Sequence, residues 1–468
     1  MRISISIFQS PRTVGLLILS LAGCTMPPAE PIHPEQLAST VTSRALDTEA
    51  IDRALEQIPA SSWFEPEALL RSTDERAPWI RYALAFNPKV REARRRVAIL
   101  QAAAGVAASA DSAMIAGELM RMPNETFSLE LDMTLDILSL FHYGRSEARE
   151  TLLHAEVREA VGELHEAVWD AVIAIHTEWD QLAIDQSLVT DLNGLLAEAK
   201  SDTERIRLLG ERGWLPNLQQ VAAQAAHATV ELELSMILVE ISERRGRLCA
   251  LAGLSQWPIE RDSVPSPRVP THPMPRSDPP DGATLISDHP RLKRLHLDYA
   301  VAEARLVEAA VMAWPMLRLG PSIDVVDSML AGGAMVDLEV PDRARAESQI
   351  AVAKEQRLLA RERLENALAD LLREEIVARE LLLETANAVG VVSGTLDANT
   401  AESWRAGRAL FRTDAATLER WTMELERRSM ALRRIAEQRR AHATAYWELR
   451  SARGPQDLEA PKLARRVP

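Results

Sequence analysis

Residues 127–137 read Phe-Ser-Leu-Glu-Leu-Asp-Met-Thr-Leu-Asp-Ile. Phe127, Leu129, Leu131, Met133, Leu135 and Ile137 alternate with Ser128, Glu130, Asp132, Thr134 and Asp136, an unbroken period of two that predicts a β-strand with one apolar and one polar or acidic face. Its length matches the ~9–11 residues of a membrane-spanning strand, where lipid-facing and lumen-facing side chains alternate. The same alternation suits a small soluble sheet packed on helices with its acidic face in water. Residues 115–122 are the expected hairpin partner, across a turn at Pro123-Asn124.

A second alternating pair lies further along. Leu317, Leu319, Ile323 and Val325 alternate with Arg318, Gly320, Ser322 and Asp324. A turn is expected at Gly332-Gly333. Val336, Leu338 and Val340 then alternate with Met335, Asp337 and Glu339, and Pro341 ends the strand. The chain thus offers four strands. Four strands cannot close a barrel, for which about eight are the working minimum. An open sheet leaves edges that lipid does not tolerate. Three chains would give twelve strands.

Outward from the strands the pattern becomes helical. From about 143 to 209 the helical period is uninterrupted. Val157, Val161, Leu164, Val168, Val172, Ile175, Trp179 and Leu182 recur at steps of three and four, a coiled-coil-like seam. Such a helix is roughly 100 Å long and needs a partner along its whole length. Shorter helices over 88–112 and 217–253 together supply one. The second half repeats the arrangement, with a long helix expected over 343–410 and short ones over 290–313 and 417–452. Two landmarks recur at nearly one offset. Pro88 and Pro290 each open a helix, where proline is favoured. Gly144-Arg145-Ser146-Glu147-Ala148 is matched by Asp342-Arg343-Ala344-Arg345-Ala346. Both point to a duplication. Between the halves, 257–282 holds eight prolines and no helical period, an extended linker.

The N-terminus has a basic start (Arg2, Arg12), a short apolar run over 13–22, and then Leu21-Ala22-Gly23-Cys24. This describes a secretory signal, since ~10 apolar residues cannot span a bilayer. An ordinary signal with an incidental Cys is the plainer alternative. The second cysteine, Cys249, sits in an apolar helical stretch and is expected buried and inert. Past the leader no apolar run is long enough for a spanning helix, so membrane entry would require β-structure. The net charge of −14 argues against nucleic acid as a partner. The expected divisions are 1–23, signal peptide; 24–82, N-terminal extension; 83–256, first repeat; 257–284, linker; 285–453, second repeat; and 454–468, tail.

Three features carry a resemblance to a known family. The order helix, hairpin, long helix, short helix is given twice over roughly 80–453. Gly213-Trp214-Leu215-Pro216-Asn217-Leu218-Gln219-Gln220-Val221-Ala222-Ala223-Gln224 resembles the turn between long and short helix in TolC-type outer-membrane efflux proteins. Gly213, Pro216, Leu218, Ala223 and Gln224 fall on its positions, and Gln219 replaces the usual acid. Phe411-Arg412-Thr413-Asp414-Ala415-Ala416-Thr417-Leu418 resembles a variant of the second turn and lacks the Gly. Asn87-Pro88 and His289-Pro290 also match. The resemblance implies a mainly α fold with a small β part: long coiled-coil hairpins plus four strands per chain. It further implies a homotrimer with a 12-stranded β-barrel and a 12-helix periplasmic tunnel. The chain would then be the passive outer-membrane conduit of a tripartite system, with a periplasmic adaptor and an inner-membrane pump as partners. Leu-Ala-Gly-Cys resembles the lipobox of bacterial lipoproteins, which implies a lipid on Cys24 and, with Thr25 after it, sorting to the outer membrane. The first hairpin is short, and its junction near 139–142 lacks the proline that Pro341 supplies to the second. A lipid-anchored periplasmic coiled-coil scaffold without a pore is the alternative.

The candidate site residues follow. Asp414 lies at the predicted tip of the second coil, where the resemblance places acids facing a narrowed pore. Its plainer reading is an N-cap. Gly213 suits a C′ position and Pro216 the first turn of the next helix, with adaptor docking implied by the resemblance. Asp202 and Glu204, near the end of the first long helix, are weaker candidates for the gate, and a solvated helix face explains them. His165 and His176, eleven apart, can share a helix face and read as solvated or core histidines rather than ligands. No metal-ligand spacing, nucleophile elbow or phosphate loop is present, so no cofactor, metal or catalysis is expected.

Overall fold

The computed structural model describes residues 5–6, 33–44, 48–60, 74–110, 114–121, 127–136, 144–258, 272, 282–326, 329–339 and 341–455. Most of the expected leader, Cys24, the bulk of the linker, the 139–142 junction and the tail after 455 lie outside these residues. A two-residue strand β1 (Ile5–Ser6) precedes helices α1 (Pro34–Ser43), α2 (Thr48–Glu56), α3 (Ala77–Phe86) and α4 (Pro88–Ala110). Strands β2 (Met114–Arg121) and β3 (Phe127–Asp136) follow, then helices α5 (Arg145–Glu211) and α6 (Asn217–Ala252). The order then repeats as α7 (Gly282–Asp288), α8 (Pro290–Met312), β4 (Met316–Val326), β5 (Met329–Glu339), α9 (Arg343–Val391), α10 (Asp397–Thr413) and α11 (Leu418–Arg453).

The two landmarks open helices as expected. Asn87 Oδ1 accepts the N–H groups of Lys89 (3.0 Å) and Val90 (3.4 Å), capping α4 at Pro88. Asp342 Oδ1 accepts the Ala344 N–H at 3.0 Å, so α9 begins at Arg343 as α5 begins at Arg145. The recurring order extends to a contact that the sequence does not announce. Asn87 Nδ2 donates to the Leu251 carbonyl at 2.8 Å, and His289 Nε2 lies 2.9 Å from the Ser451 carbonyl. Beside each pair stands a glycine with positive φ, Gly253 at 67° and Gly454 at 77°. A Cβ on Gly253 would lie 2.1 Å from the Phe86 carbonyl oxygen, and one on Gly454 would lie 3.0 Å from the His289 ring. Each repeat thus docks the end of its last helix against the start of its first.

The chain divides into two compact units, and each draws from both repeats. One comprises 1–37, 93–164 and 291–366 and holds the whole sheet. The sheet is antiparallel in the order β1-β5-β4-β3-β2, so the two hairpins join through β3 and β4. The apolar positions stay in register across this join, with Leu129 opposite Val325, Leu131 opposite Ile323, and Leu135 opposite Leu319. The expected turn at Gly332-Gly333 is corrected. β4 and β5 pair without interruption from Val326↔Met329 to Met316↔Glu339, which puts both glycines inside β5 opposite Ile323 and Ser322. Glycine is weak within a strand but not excluded from it. In this unit the helices pack through Leu152, Ala155, Val301 and Ala304. Val157 and Val161 are only half-buried, while Ala148, Leu152 and Ala155 carry the start of the α5 seam.

The other unit comprises 38–92, 165–290 and 367–468. Here the expected seam is buried: Val168, Val172, Ile175, Trp179 and Leu182, continued by Leu188, Leu192, Leu195, Ala199 and Ile206. Trp79 packs on Trp179 and Trp257, and Leu382 and Leu449 pack with Trp447. His165 is buried and His176 half-buried. Cys249 is free and buried, and burial raises its thiol pKa. The second long helix departs from expectation. It is broken at Val392–Leu396 by a π-turn, in which the Asp397 N–H bonds to the carbonyl of Val392.

Candidate functional site

The expected site residues lie at the two helical turns of the second unit. The α5–α6 turn closes as a Schellman motif. The Trp214 N–H bonds to the Leu209 carbonyl at 3.0 Å, and the Gly213 N–H bonds to that of Gly210 at 2.8 Å. This geometry needs the left-handed conformation that Gly213 adopts, with φ 72°. Pro216 is the N-cap of α6 (φ −59°, ψ 141°), one place earlier than the first helical turn. It lacks an N–H, but its carbonyl accepts the first helical bonds from Gln219 and Gln220. Leu215 turns inward and is buried, whereas Trp214 is 68% exposed and Leu218 82% exposed. The Arg212 guanidinium stands 5.8 Å from the centre of the Trp214 ring.

The α10–α11 turn is built differently. Asp414 is exposed, and its Oδ1 accepts the Ala416 N–H at 2.9 Å while its carbonyl accepts Thr417 N–H and Oγ1–H. It therefore caps the short 3₁₀ turn Ala415–Thr417 that leads into α11. Leu418, just after the turn, is buried and so unlike Leu218 of the first turn.

Behind the turns lies a cluster that the sequence reading missed. Asp202 is 2% exposed rather than solvated. Its carboxylate accepts Arg408 Nε at 2.7 Å, Arg412 Nε at 3.1 Å and Trp421 Nε1 at 3.3 Å. Glu198 adds bonds from Trp404 Nε1 at 2.8 Å and Arg408 Nη1 at 2.9 Å. Phe411 and Trp421 are fully buried, and Arg205 lies over the Phe411 ring. Glu204, by contrast, is exposed as expected and pairs only with Arg207. Two further acids on α5 are fully buried. Asp180 accepts Arg76 Nη2 at 2.5 Å and Trp447 Nε1 at 2.7 Å. Asp185 accepts Arg244 Nε at 2.5 Å, with Arg440 at 3.2 Å. A buried carboxylate is tolerable only when it is paired in this way. The signal available in the sequence was the placement of acids on the apolar face of a helix.

Among the described residues no group of three or more His, Cys, Asp or Glu is placed to hold a metal ion. No helix among them is long and apolar enough to cross a membrane.

No protein-family model matches the chain, and no curated protein matches it in sequence. Solved structures do match. A membrane protein from Pseudomonas aeruginosa superposes with a TM-score of 0.69 at 14% identity, covering 81% of this chain and 94% of its own. The outer membrane protein VceC from Vibrio cholerae gives 0.67 at 17% identity, covering 81% and 96%. The Campylobacter jejuni CmeC outer membrane channel gives 0.65 at 12% identity, covering 92% and 94%. The fold is the TolC-type fold of outer-membrane channels. In this channel fold the two turns described above are the loops that join long helix to short helix, once in each repeat.

Proposed function

We propose that this chain is one protomer of a homotrimeric outer-membrane channel, the passive conduit of a tripartite efflux or export system. The carrying observation is the sheet: two hairpins from two repeats joined in register through β3 and β4, in a chain with the channel fold. Four such strands have open edges, and lipid requires closure. β1 falls within the expected leader, so cleavage would leave the β5 edge free. Three chains then close a twelve-stranded barrel. The helices support the same reading. Leu218, Val221, Leu232, Met236 and Val239 lie along one face of α6 and are exposed in the single chain, an apolar stripe suited to a neighbouring protomer. Cys24 carries the lipid that adds an outer-membrane anchor.

The periplasmic turns form the gate and the docking end. Asp414 from three copies makes an acidic ring that favours cations. The Gly213–Pro216 turn offers exposed Trp214 and Leu218 to a periplasmic adaptor, which connects the channel to an inner-membrane pump. Asp202 with Arg408 and Arg412 latches α10 to α5 just behind the turns. The experiment is single-channel recording of the purified protein in planar bilayers. Discrete steps are expected. A heat-resistant trimer with no steps would sink the channel reading in favour of a lipid-anchored scaffold.

A further inference from the structure

The second long helix carries one residue too many for its seam, and the surplus falls at the π-turn. On α9 the buried positions Leu371, Glu375, Ala378, Leu382 and Thr385 advance by four, three, four and three. Continued, that rhythm would bury 389, 392, 396, 399, 403, 406 and 410. The residues actually buried are Thr400, Trp404, Gly407 and Phe411, each one place later, and none from 386 to 399 is buried. The i+5 bond from Asp397 to Val392 takes up the extra residue and returns the seam to the packed face. The first copy has no such skip: on α5 Leu188, Leu192, Leu195, Ala199, Asp202 and Ile206 keep step to the end.

The segment around the skip is also loosely held. A Cβ on Gly390 or Gly394 would meet nothing within 4 Å. Glycine, Val391, Val392, Ser393 and Thr395 are all weak helix formers. Immediately after the turn the chain is gripped again. Arg428 Nη1 donates to Asp397 Oδ1 at 2.6 Å, to the Asp397 carbonyl at 3.0 Å and to Thr400 Oγ1 at 2.9 Å. At its far end α10 is held by the Asp202 latch. We infer that Val392–Leu396 is the hinge about which α10, a rigid 17-residue lever, swings when the latch opens. This rests on the latch reading given above.

The test uses the full chain with nitroxide labels at Lys200→Cys and Glu402→Cys, both exposed positions on α5 and α10. Opening the latch with Asp202→Asn should broaden the distance distribution between the labels. Deleting Gly394 as well removes the extra residue and should narrow it again. That deletion should keep the thermal midpoint near that of the parent, because it restores the seam rhythm. Deleting Gly194 from α5 should lower the midpoint sharply, because it throws Leu195, Ala199 and Ile206 off the packed face. Equal broadening with and without Gly394 overturns the hinge, as does a collapse of the Gly394 deletion equal to that of Gly194. An unchanged distribution on Asp202→Asn overturns the latch instead. The hinge is then judged by hydrogen exchange, where amides of 392–397 should exchange about tenfold faster than those of 195–206. Equal protection of the two stretches would overturn it.

Discussion

The two long helices occupy the same place in the two repeats and solve packing in opposite ways. α5 is unbroken over 67 residues and carries three fully or almost fully buried acids, Asp180, Asp185 and Asp202. α9 buries alanine at every seventh place, Ala346, Ala353, Ala360 and Ala367, and then breaks at the π-turn. Small residues at a heptad position let a neighbouring helix approach closely and hold it by contact alone. Buried carboxylates hold their partners by directed, charge-assisted bonds. The cations that meet Asp202 come from α10, the segment beyond the break. One long helix is the continuous frame, and the end of the other is held to it by ion pairs.

The most severe way to break that division is to remove the frame's charge. Asp202→Asn removes the carboxylate that Arg408 and Arg412 share and leaves Arg408, itself mostly buried, with Glu198 alone. Breaking a buried pair on one side costs roughly 3–5 kcal/mol; with Glu198 still on Arg408, chemical denaturation should register a loss towards the lower end of that range. A loss below about 1 kcal/mol would mean that Asp202 behaves as a surface ion pair, and the contrast with Glu204 would vanish. At Glu204, exposed and paired along its own helix, substitution should leave the denaturation midpoint essentially where it is.

Acid should strain the frame next. His176 on α5 stacks on Trp447 at 4.4 Å, and burial, aided by Arg76, lowers its pKa from 6.5 to about 4. The neutral ring is the folded form, so the unfolded chain binds an additional proton between those values. Stability from this group is complete above pH 6.5 and is lost as pH falls towards 4. At about 1.4 kcal/mol per unit the loss approaches roughly 3 kcal/mol. Unfolding followed against pH should lose that slope in His176→Phe. A slope that persists unchanged assigns the acid sensitivity elsewhere.

Much of this was legible in the sequence, and the omissions have physical reasons. Strand β3, the helix starts at Pro88, Pro290 and Arg343, and the Gly213 turn all follow from local chemistry: alternation, proline placement and positive φ. The Gly332-Gly333 turn was misplaced because glycine marks both turns and weak strand interiors, and only pairing register separates them. Asp202 reads as solvated in the sequence because its partners Arg408 and Arg412 lie more than 200 residues away. The π-turn was missed because one surplus residue barely disturbs an apolar pattern; it becomes visible only when burial fixes the seam on both sides of it.

A gentler change sharpens the difference between the two helix ends of the first repeat, Gly213 after α5 and Gly253 after α6. Gly213→Ala meets no atom, so its only cost is the positive φ, about 1 kcal/mol. Gly253→Ala has the same backbone cost and also drives a methyl into the Phe86 carbonyl, so its loss should exceed that of Gly213→Ala by a clear margin. Thermal unfolding of the two variants side by side checks this. Equal losses would show that the junction at Phe86 yields easily.

The smallest expected effect on stability decides the most about function. Asp414 caps its turn through one carboxylate oxygen on the Ala416 N–H, in the open. Any short side chain with an acceptor can do that, so Asp414→Asn and Asp414→Ser should leave stability within a few tenths of a kcal/mol, while Asp414→Ala loses about 0.5–1 kcal/mol. Charge follows a different order. If three copies of Asp414 line the gate, Asn, Ser and Ala all remove the acidic ring equally, and cation preference in planar bilayers should fall alike in all three. The two series therefore separate cap from gate: stability singles out Ala, selectivity groups Ala with Asn and Ser. Selectivity unchanged in all three variants would leave Asp414 as a cap alone and remove the acidic ring from the proposed gate.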